Sequence, residues 1–183
     1  GLTSSIIPCL FQSDQGTGAL KVAIKQLCED SEKALHNGAS ILILSDRGVT
    51  EKHAPIPILL AVGAVHNHLL KLGKRMECSI ICETGEAREM HHICCLIGYG
   101  ASAVNPYLGC AEANNLYQKV NEASNSSEDG SVIYRDALNR QVLKVMSKMG
   151  ISTVSGYHGA QLFEAIGVGE EVIETCFDGT TSQ

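Results

Sequence analysis

Several things are missing from this chain, and their absence excludes whole classes of protein. No apolar run approaches the roughly 20 residues a membrane-spanning helix needs, and the opening Gly1-Leu2-Thr3-Ser4-Ser5 has neither the basic stretch nor the cleavage pattern of a secretory leader. The chain therefore reads as a soluble interior piece of a longer protein. Lys and Arg nowhere cluster, and the net charge is −6, so a nucleic-acid partner bound through its phosphates is excluded. No low-complexity tract dominates. The eight cysteines show none of the short-spaced sets that betray an iron-sulfur cluster.

Several cysteines fall inside apolar segments, as in Cys78-Ser79-Ile80-Ile81-Cys82, where they act as small hydrophobes. A chain of 183 residues is about one domain long and can be held by its own core, so a disulfide scaffold is not expected. We read residues 1–183 as a single domain fragment.

The pattern along the chain alternates. Ile6 to Phe11 reads as a strand, followed by a helix from Gly18 to Asn37 that Gly38 stops. Ile41 to Leu44 is a short, wholly apolar strand of the kind buried on both faces of a parallel sheet. The clearest helix covers 57–72, with Ile58, Val62, Val65, Leu69 and Leu72 in one stripe. Ser79 to Cys82 and Ala101 to Val104 are further strands, separated by a helix from Arg88 to Ile97. After a short helical stretch, 121–130 lacks apolar residues and reads as a surface loop; its Asn125-Ser126-Ser127 matches the glycosylation pattern, without meaning in a cytosolic chain. A helix from Tyr134 to Met149, a last strand from Ile151 to Val154, a helix from His158 to Ile166 and a closing segment Glu170 to Phe177 complete the expectation. Such alternation implies a parallel sheet, which either part of a (β/α) barrel or an open doubly wound sheet would satisfy.

In a parallel sheet the strands' carboxyl ends share one side, where ligands bind. The residues there would be Ser45-Asp46-Arg47, Glu83-Thr84-Gly85-Glu86, Asn105-Pro106-Tyr107 and Ser155-Gly156-Tyr157-His158. As a site they suggest an anion or dicarboxylate pocket, with Arg47 as the fork, Gly156 and the following amides as a cradle, and Glu83 or His158 handling protons. The structural alternative is that Asp46 and Arg47 pair with neighbouring loops or with an adjoining domain. Lys148, with Lys144 one turn before it, could meet a phosphate or an oxo acid, although cations at a helix C-terminus are favoured by its carbonyls alone. His91 and Cys95 share a helix face at i, i+4, but two ligands are not four and we assign no metal there. His66 and His68 flank their helix's stripe and read as boundary residues.

Four stretches carry a resemblance. Ile41-Leu42-Ile43-Leu44-Ser45-Asp46-Arg47 with the later Pro55 to His66, Glu83-Thr84-Gly85-Glu86-Ala87-Arg88-Glu89-Met90-His91-His92, Ile97 to Leu108, and Lys144 to Ala165 resemble, in order, the central domain of the large subunit of glutamate synthase. The resemblance implies an incomplete (β/α) barrel-like parallel sheet, related to the TIM barrel, of which this chain is the C-terminal part. It implies membership of an enzyme that makes two glutamates from glutamine, 2-oxoglutarate and reductant. FMN and an iron-sulfur cluster belong to that complete enzyme. The amidotransferase and flavin domains of the same polypeptide, and an electron-donor subunit, domain or ferredoxin, would be the partners, in a cytoplasmic or plastid-like soluble compartment. No catalytic or cofactor-binding residue carries over, because the family's reactive motifs match nothing here. Arg47, Glu83, Asn105, Lys148, Ser155 and His158 remain as anion or interdomain contacts. Two details depart from the family wording: Gln141 stands where glycine is expected, and Gly156-Tyr157-His158 replaces Ser-Tyr-Arg or Ser-Tyr-Lys. A free-standing, non-catalytic anion-binding barrel fragment is the competing expectation, and a metal enzyme built on His91 and Cys95 the third.

Overall fold

Every second residue of the central strands is apolar and fully covered, and this fixes the sheet's two faces. The structure, a computed structural model, describes residues 1–16, 18–121 and 129–183. Strands β1 (Ser4–Pro8), β3 (Ile41–Ser45), β5 (Ser79–Glu83) and β6 (Ala103–Asn105) form one parallel sheet in that spatial order. Ile7, Leu44, Cys82 and Val104 lie in register across it, as do Leu42 and Ile80. Leu42, Leu44, Ile80 and Cys82 are completely buried under the helices.

The connecting helices are α1 (Ala19–His36), α2 (Ile58–Lys71) and α3 (Met90–Gly98). Because each parallel strand is laid beside the previous one without reversal, crossovers of one hand put all three helices on the same face. They pack side by side there, α1 on α2 and α2 on α3. A doubly wound sheet needs a reversal of strand order; this one has none, so the topology is that of a barrel. The opposite face, a barrel's interior, carries Ile6, Ile43, Ile81 and Ala103 in one row, and Ile6 is 66 % exposed. The sheet is thus an incomplete barrel wall, as expected.

Several local expectations are corrected. The first strand does not run through to Phe11: it ends at Pro8, and β2 (Leu10–Gln12) leaves the sheet to pair antiparallel with β4 (His53–Pro55). Pro8 cannot extend a ladder through an N–H it lacks. The helix expected from Tyr134 begins earlier, at Gly130, because Asp129 caps it by accepting from the Ser131 N–H at 2.9 Å. This helix, α5 (Gly130–Lys148), packs along α4 (Tyr107–Val120). Gly130 allows the close approach, since a Cβ there would stand 2.6 Å from the Ala113 carbonyl oxygen. Of the expected surface loop 121–130, residues 122–128 lie outside the described residues, and Asn125-Ser126-Ser127 with them.

The largest correction concerns the end of the chain. Ile151 to Val154 is not a strand and 158–166 is not a helix. Ile151 returns its N–H to the Met146 carbonyl at 3.0 Å, closing α5. Thr153 then turns its hydroxyl onto the Gly156 N–H at 3.2 Å and caps a single helical turn, α6 (Val154–Tyr157). Ser and Thr make such local bonds in competition with a sheet ladder, and only two of those four residues are apolar. Residues 159–169 follow without regular structure, bridging back through Ala165 to Ser182. The closing helix α7 (Glu170–Cys176) packs on α2. Among the described residues, no helix is long and apolar enough to cross a membrane.

Candidate functional site

The carboxyl ends of β3, β5 and β6 bring Ser45, Asp46, Arg47, Glu83, Thr84, Asn105 and Tyr107 together. In-register pairing places Ser45, Glu83 and Asn105 side by side, and alternation points all three to the barrel-interior face. Glu83 is the hub. It accepts from the Ser45 hydroxyl at 2.7 Å, from Arg47 Nε at 2.8 Å and from Asn105 Nδ2 at 3.5 Å. The Ser45 hydroxyl and then the Arg47 guanidinium hold the Glu83 carboxyl below its usual range. Arg47 also lies over the Tyr107 ring, 3.9 Å from the centroid, a cation–π arrangement. The carboxylate engages its Nε, and its side chain remains 54 % exposed.

A second, deeper set lies beside this hub. Asp46, 3 % exposed, accepts from the Thr84 hydroxyl at 2.6 Å and from the Gly85 N–H at 2.9 Å. A buried carboxylate needs such donors, and the loop after β5 supplies them. Burial, and then the neighbouring Asp46, raise the Tyr107 phenol above its ordinary value. Glu86 reaches across to accept from the Ile58 N–H at 3.0 Å, so the first amide of α2 is capped by a carboxylate from another loop. That contact was invisible in the sequence, because donor and acceptor are separated by 28 residues and neither belongs to a local capping pattern.

The remaining candidates lie elsewhere. Ser155 bonds to Thr153 at 3.2 Å in the exposed turn of α6. The Gly156 amide, read as part of an anion cradle, is taken by the Thr153 hydroxyl. His158 Nε2 pairs with the Ala101 carbonyl at 3.0 Å, just before β6 and so at the opposite end of the sheet from Glu83. Lys148 stands exposed in the last turn of α5. Without a strand ending at Val154, nothing carries the Ser155 and His158 loop to the shared rim.

The metal candidates form no site: His91 Nε2 and Cys95 Sγ are 3.6 Å apart, and no group of three or more metal-ligating side chains occurs among the described residues. Burial pushes the Cys95 thiol up to about 11. His66 is no mere boundary residue, since its Nδ1 accepts from the Nε of Arg75 at 2.9 Å.

Comparison with known proteins decides the family. The model of the glutamate synthase central domain matches residues 1–169. The chain belongs to that family. The glutamate synthase [NADPH] large chain of Bacillus subtilis is 47% identical over 184 residues, covering 100% of this chain and 12% of its own length. The ferredoxin-dependent glutamate synthase 2, chloroplastic, of Arabidopsis thaliana is 44% identical over 194 residues, with the same 100% and 12% coverage. The glutamate synthase [NADH] of Schizosaccharomyces pombe is 40% identical over 178 residues, covering 97% of this chain and 8% of its own length. The chain thus spans only a small part of the relatives it matches. Among solved structures, a flavocytochrome b2 mutant with pyruvate bound aligns with TM-score 0.55 at 18% identity, covering 72% of this chain and 31% of that one. A mandelate oxidase mutant with an FMN adduct aligns with TM-score 0.52 at 18% identity, over 72% of this chain and 37% of that one. At such identities the likeness is one of fold, and it places the central-domain sheet among barrels.

Proposed function

We propose that this central-domain segment is a non-catalytic brace within a glutamate synthase. The whole enzyme would move the amide nitrogen of glutamine to 2-oxoglutarate and reduce the product with electrons delivered through FMN and an iron-sulfur cluster bound elsewhere. The observation that carries this reading is the mutual satisfaction of the strand-end rim. Glu83 engages Ser45, Arg47 and Asn105, and Asp46 engages Thr84 and Gly85.

The rim residues do not fit a flavin phosphate. A phosphate needs free amides and an available cation, whereas Glu86 holds the first amide of α2, Asp46 holds that of Gly85, and Arg47 is paired. Three carboxylates at the rim would repel it further. What such a rim can do is stiffen the strand ends and present Arg47, Asn105 and Tyr107 to an adjoining domain. A stiff spacer matters to an enzyme that must hand ammonia between two sites, because the benefit of proximity depends on a fixed path and on exclusion of water.

The test is stoichiometry in the full-length enzyme. Arg47→Met with Glu83→Gln should leave glutamine hydrolysis running while ammonia escapes to the medium, so that fewer glutamates form per glutamine consumed. A variant whose hydrogen exchange at 45–48 shows the rim opened, yet whose two activities stay matched, would sink the brace.

A further inference from the structure

A cavity of about 200 Å³ lies between α2, the end of α3 and the strap formed by Gly159 to Phe163 with Asp178 to Thr180. It sits on the His66 and Gly98 side of the molecule, away from the strand-end rim. The strap is tied over it by the Gly159 N–H on the Gly98 carbonyl at 2.8 Å and by Tyr99 and Thr180, whose hydroxyls are 2.9 Å apart. Gln161 in that strap has φ 52°, the one positive value at a non-glycine position among the described residues. Backbone conformations of this kind persist where surrounding structure enforces them and recur at ligand clamps.

One feature of the wall points to a ligand, the outer edge of His66. Arg75 donates from Nε to its Nδ1, and from its two terminal nitrogens to the carbonyls of Cys78 and Gly100, both at 2.8 Å. With Nδ1 accepting, the neutral ring carries its proton on Nε2, and that N–H meets no protein acceptor among the described residues. Gly100 fills the Nδ1 side of the ring, where a Cβ would collide, so the opposite edge is left to the cavity. Arg75 itself is 9 % exposed and forms no ion pair among the described residues. A buried guanidinium with carbonyl and imidazole partners but no carboxylate leaves positive charge uncompensated, and it polarises the ring's outer N–H.

We propose that this cavity is a binding site for a small carboxylate with an apolar body, its charge accepted by the His66 Nε2–H with Arg75 behind it. The rest of the lining suits such a body: Leu70, Tyr99, Leu162 and Phe163 supply apolar wall, and the Asp178 carboxylate at the mouth is set against Lys71 at 3.8 Å. An apolar cavity of about 150 Å³ takes benzene, so the space suffices for a ring bearing one carboxylate.

Benzoate is the probe. In equilibrium dialysis with the full-length protein, labelled benzoate is expected to bind saturably at one site per chain that Leu70→Trp abolishes, since the larger side chain grows into the space from a position 53 % exposed. Leu70→Phe provides the same test should the tryptophan variant fail to fold. His66→Asn keeps an acceptor for Arg75 and removes the outer donor, and should weaken that site about tenfold. Benzyl alcohol, matched in shape but uncharged, should bind at least about tenfold more weakly. Binding unchanged by filling the cavity, equal binding of the alcohol, or no saturable site below about 10 mM would each overturn the proposal.

Discussion

Replacing Gly63 by alanine puts a methyl group where another segment's backbone already lies. A Cβ at Gly63, in the middle of α2, would collide with the carbonyl oxygen of Cys176 and stand 3.3 Å from the Phe177 ring. Cys176 and Phe177 are 1 % and 8 % exposed, so the helix α7 is seated on α2 through this one bare position. Two effects oppose each other in the variant. Alanine favours the helix over glycine by about 1 kcal/mol. Overpacking costs about 1–3 kcal/mol, and here the obstacle is backbone, which cannot rotate aside as a flexible side chain could. The upper part of that range therefore applies, and the seating of α7 should weaken by about 1–2 kcal/mol, a factor of roughly 5–30 in the local opening equilibrium. Hydrogen exchange read by mass spectrometry over residues 171–177, in the full-length protein, measures it directly. Faster exchange confined to that segment is expected. Exchange that is unchanged or slower in 171–177 would show that helix propensity wins and that α7 does not rest on Gly63.

His66 makes acid a selective stress: burial, and then the Arg75 charge, push its imidazole down from 6.5 to about 4. The unfolded chain takes up the proton near 6.5 and the folded one only near 4, so this stability is complete above 6.5 and drains away as pH falls between those values. The gap corresponds to at most about 3 kcal/mol, reduced to about 1–2 because the ring is partly open to solvent. Pulse proteolysis in urea should show the protection of 58–71 falling from pH 7.5 to 4.5, with His66→Asn flattening the slope; His158, also lowered by burial, keeps a residue of it, and an identical slope in the variant would remove His66 from the account. The thiols should be inert at neutral pH, since burial raises Cys9 and Cys28 to about 12 and Cys95 and Cys176 to about 11. Iodoacetamide at pH 7.5 should label these four only after denaturation, and rapid native labelling of Cys95 would contradict the assigned burial.

The parallel wall was legible because its signals are periodic. Ile41 to Leu44 is wholly apolar, the mark of a strand inside a parallel sheet, and Leu42 and Leu44 are indeed fully covered, while Val62, Val65 and Leu69 give α2 its stripe. The choice between barrel and doubly wound sheet came from family resemblance alone, since strand order leaves no mark on local sequence. Ile151 to Val154 misled for a physical reason: the Thr153 hydroxyl takes the Gly156 N–H and turns the chain into α6, a local bond that local apolarity does not reveal. Misplacing this segment also misplaced Ser155 and His158 in the expected rim. Arg47, Glu83 and Asn105 do lie side by side, because register requires only that three strands end together.

That register also supports the proposed bracing role of the rim. A charge that is to act on a substrate must gain more from it than from its existing partners, and Glu83 already has three donors while Arg47 has both a carboxylate and an aromatic face. Displacing them would remove the cation that offsets the Glu83 charge and free its three donors, a loss that a bound substrate would have to exceed. On the far side of the molecule the situation is reversed: the outer N–H of His66 has no protein partner to give up among the described residues, so the proposed carboxylate would compete there only with water.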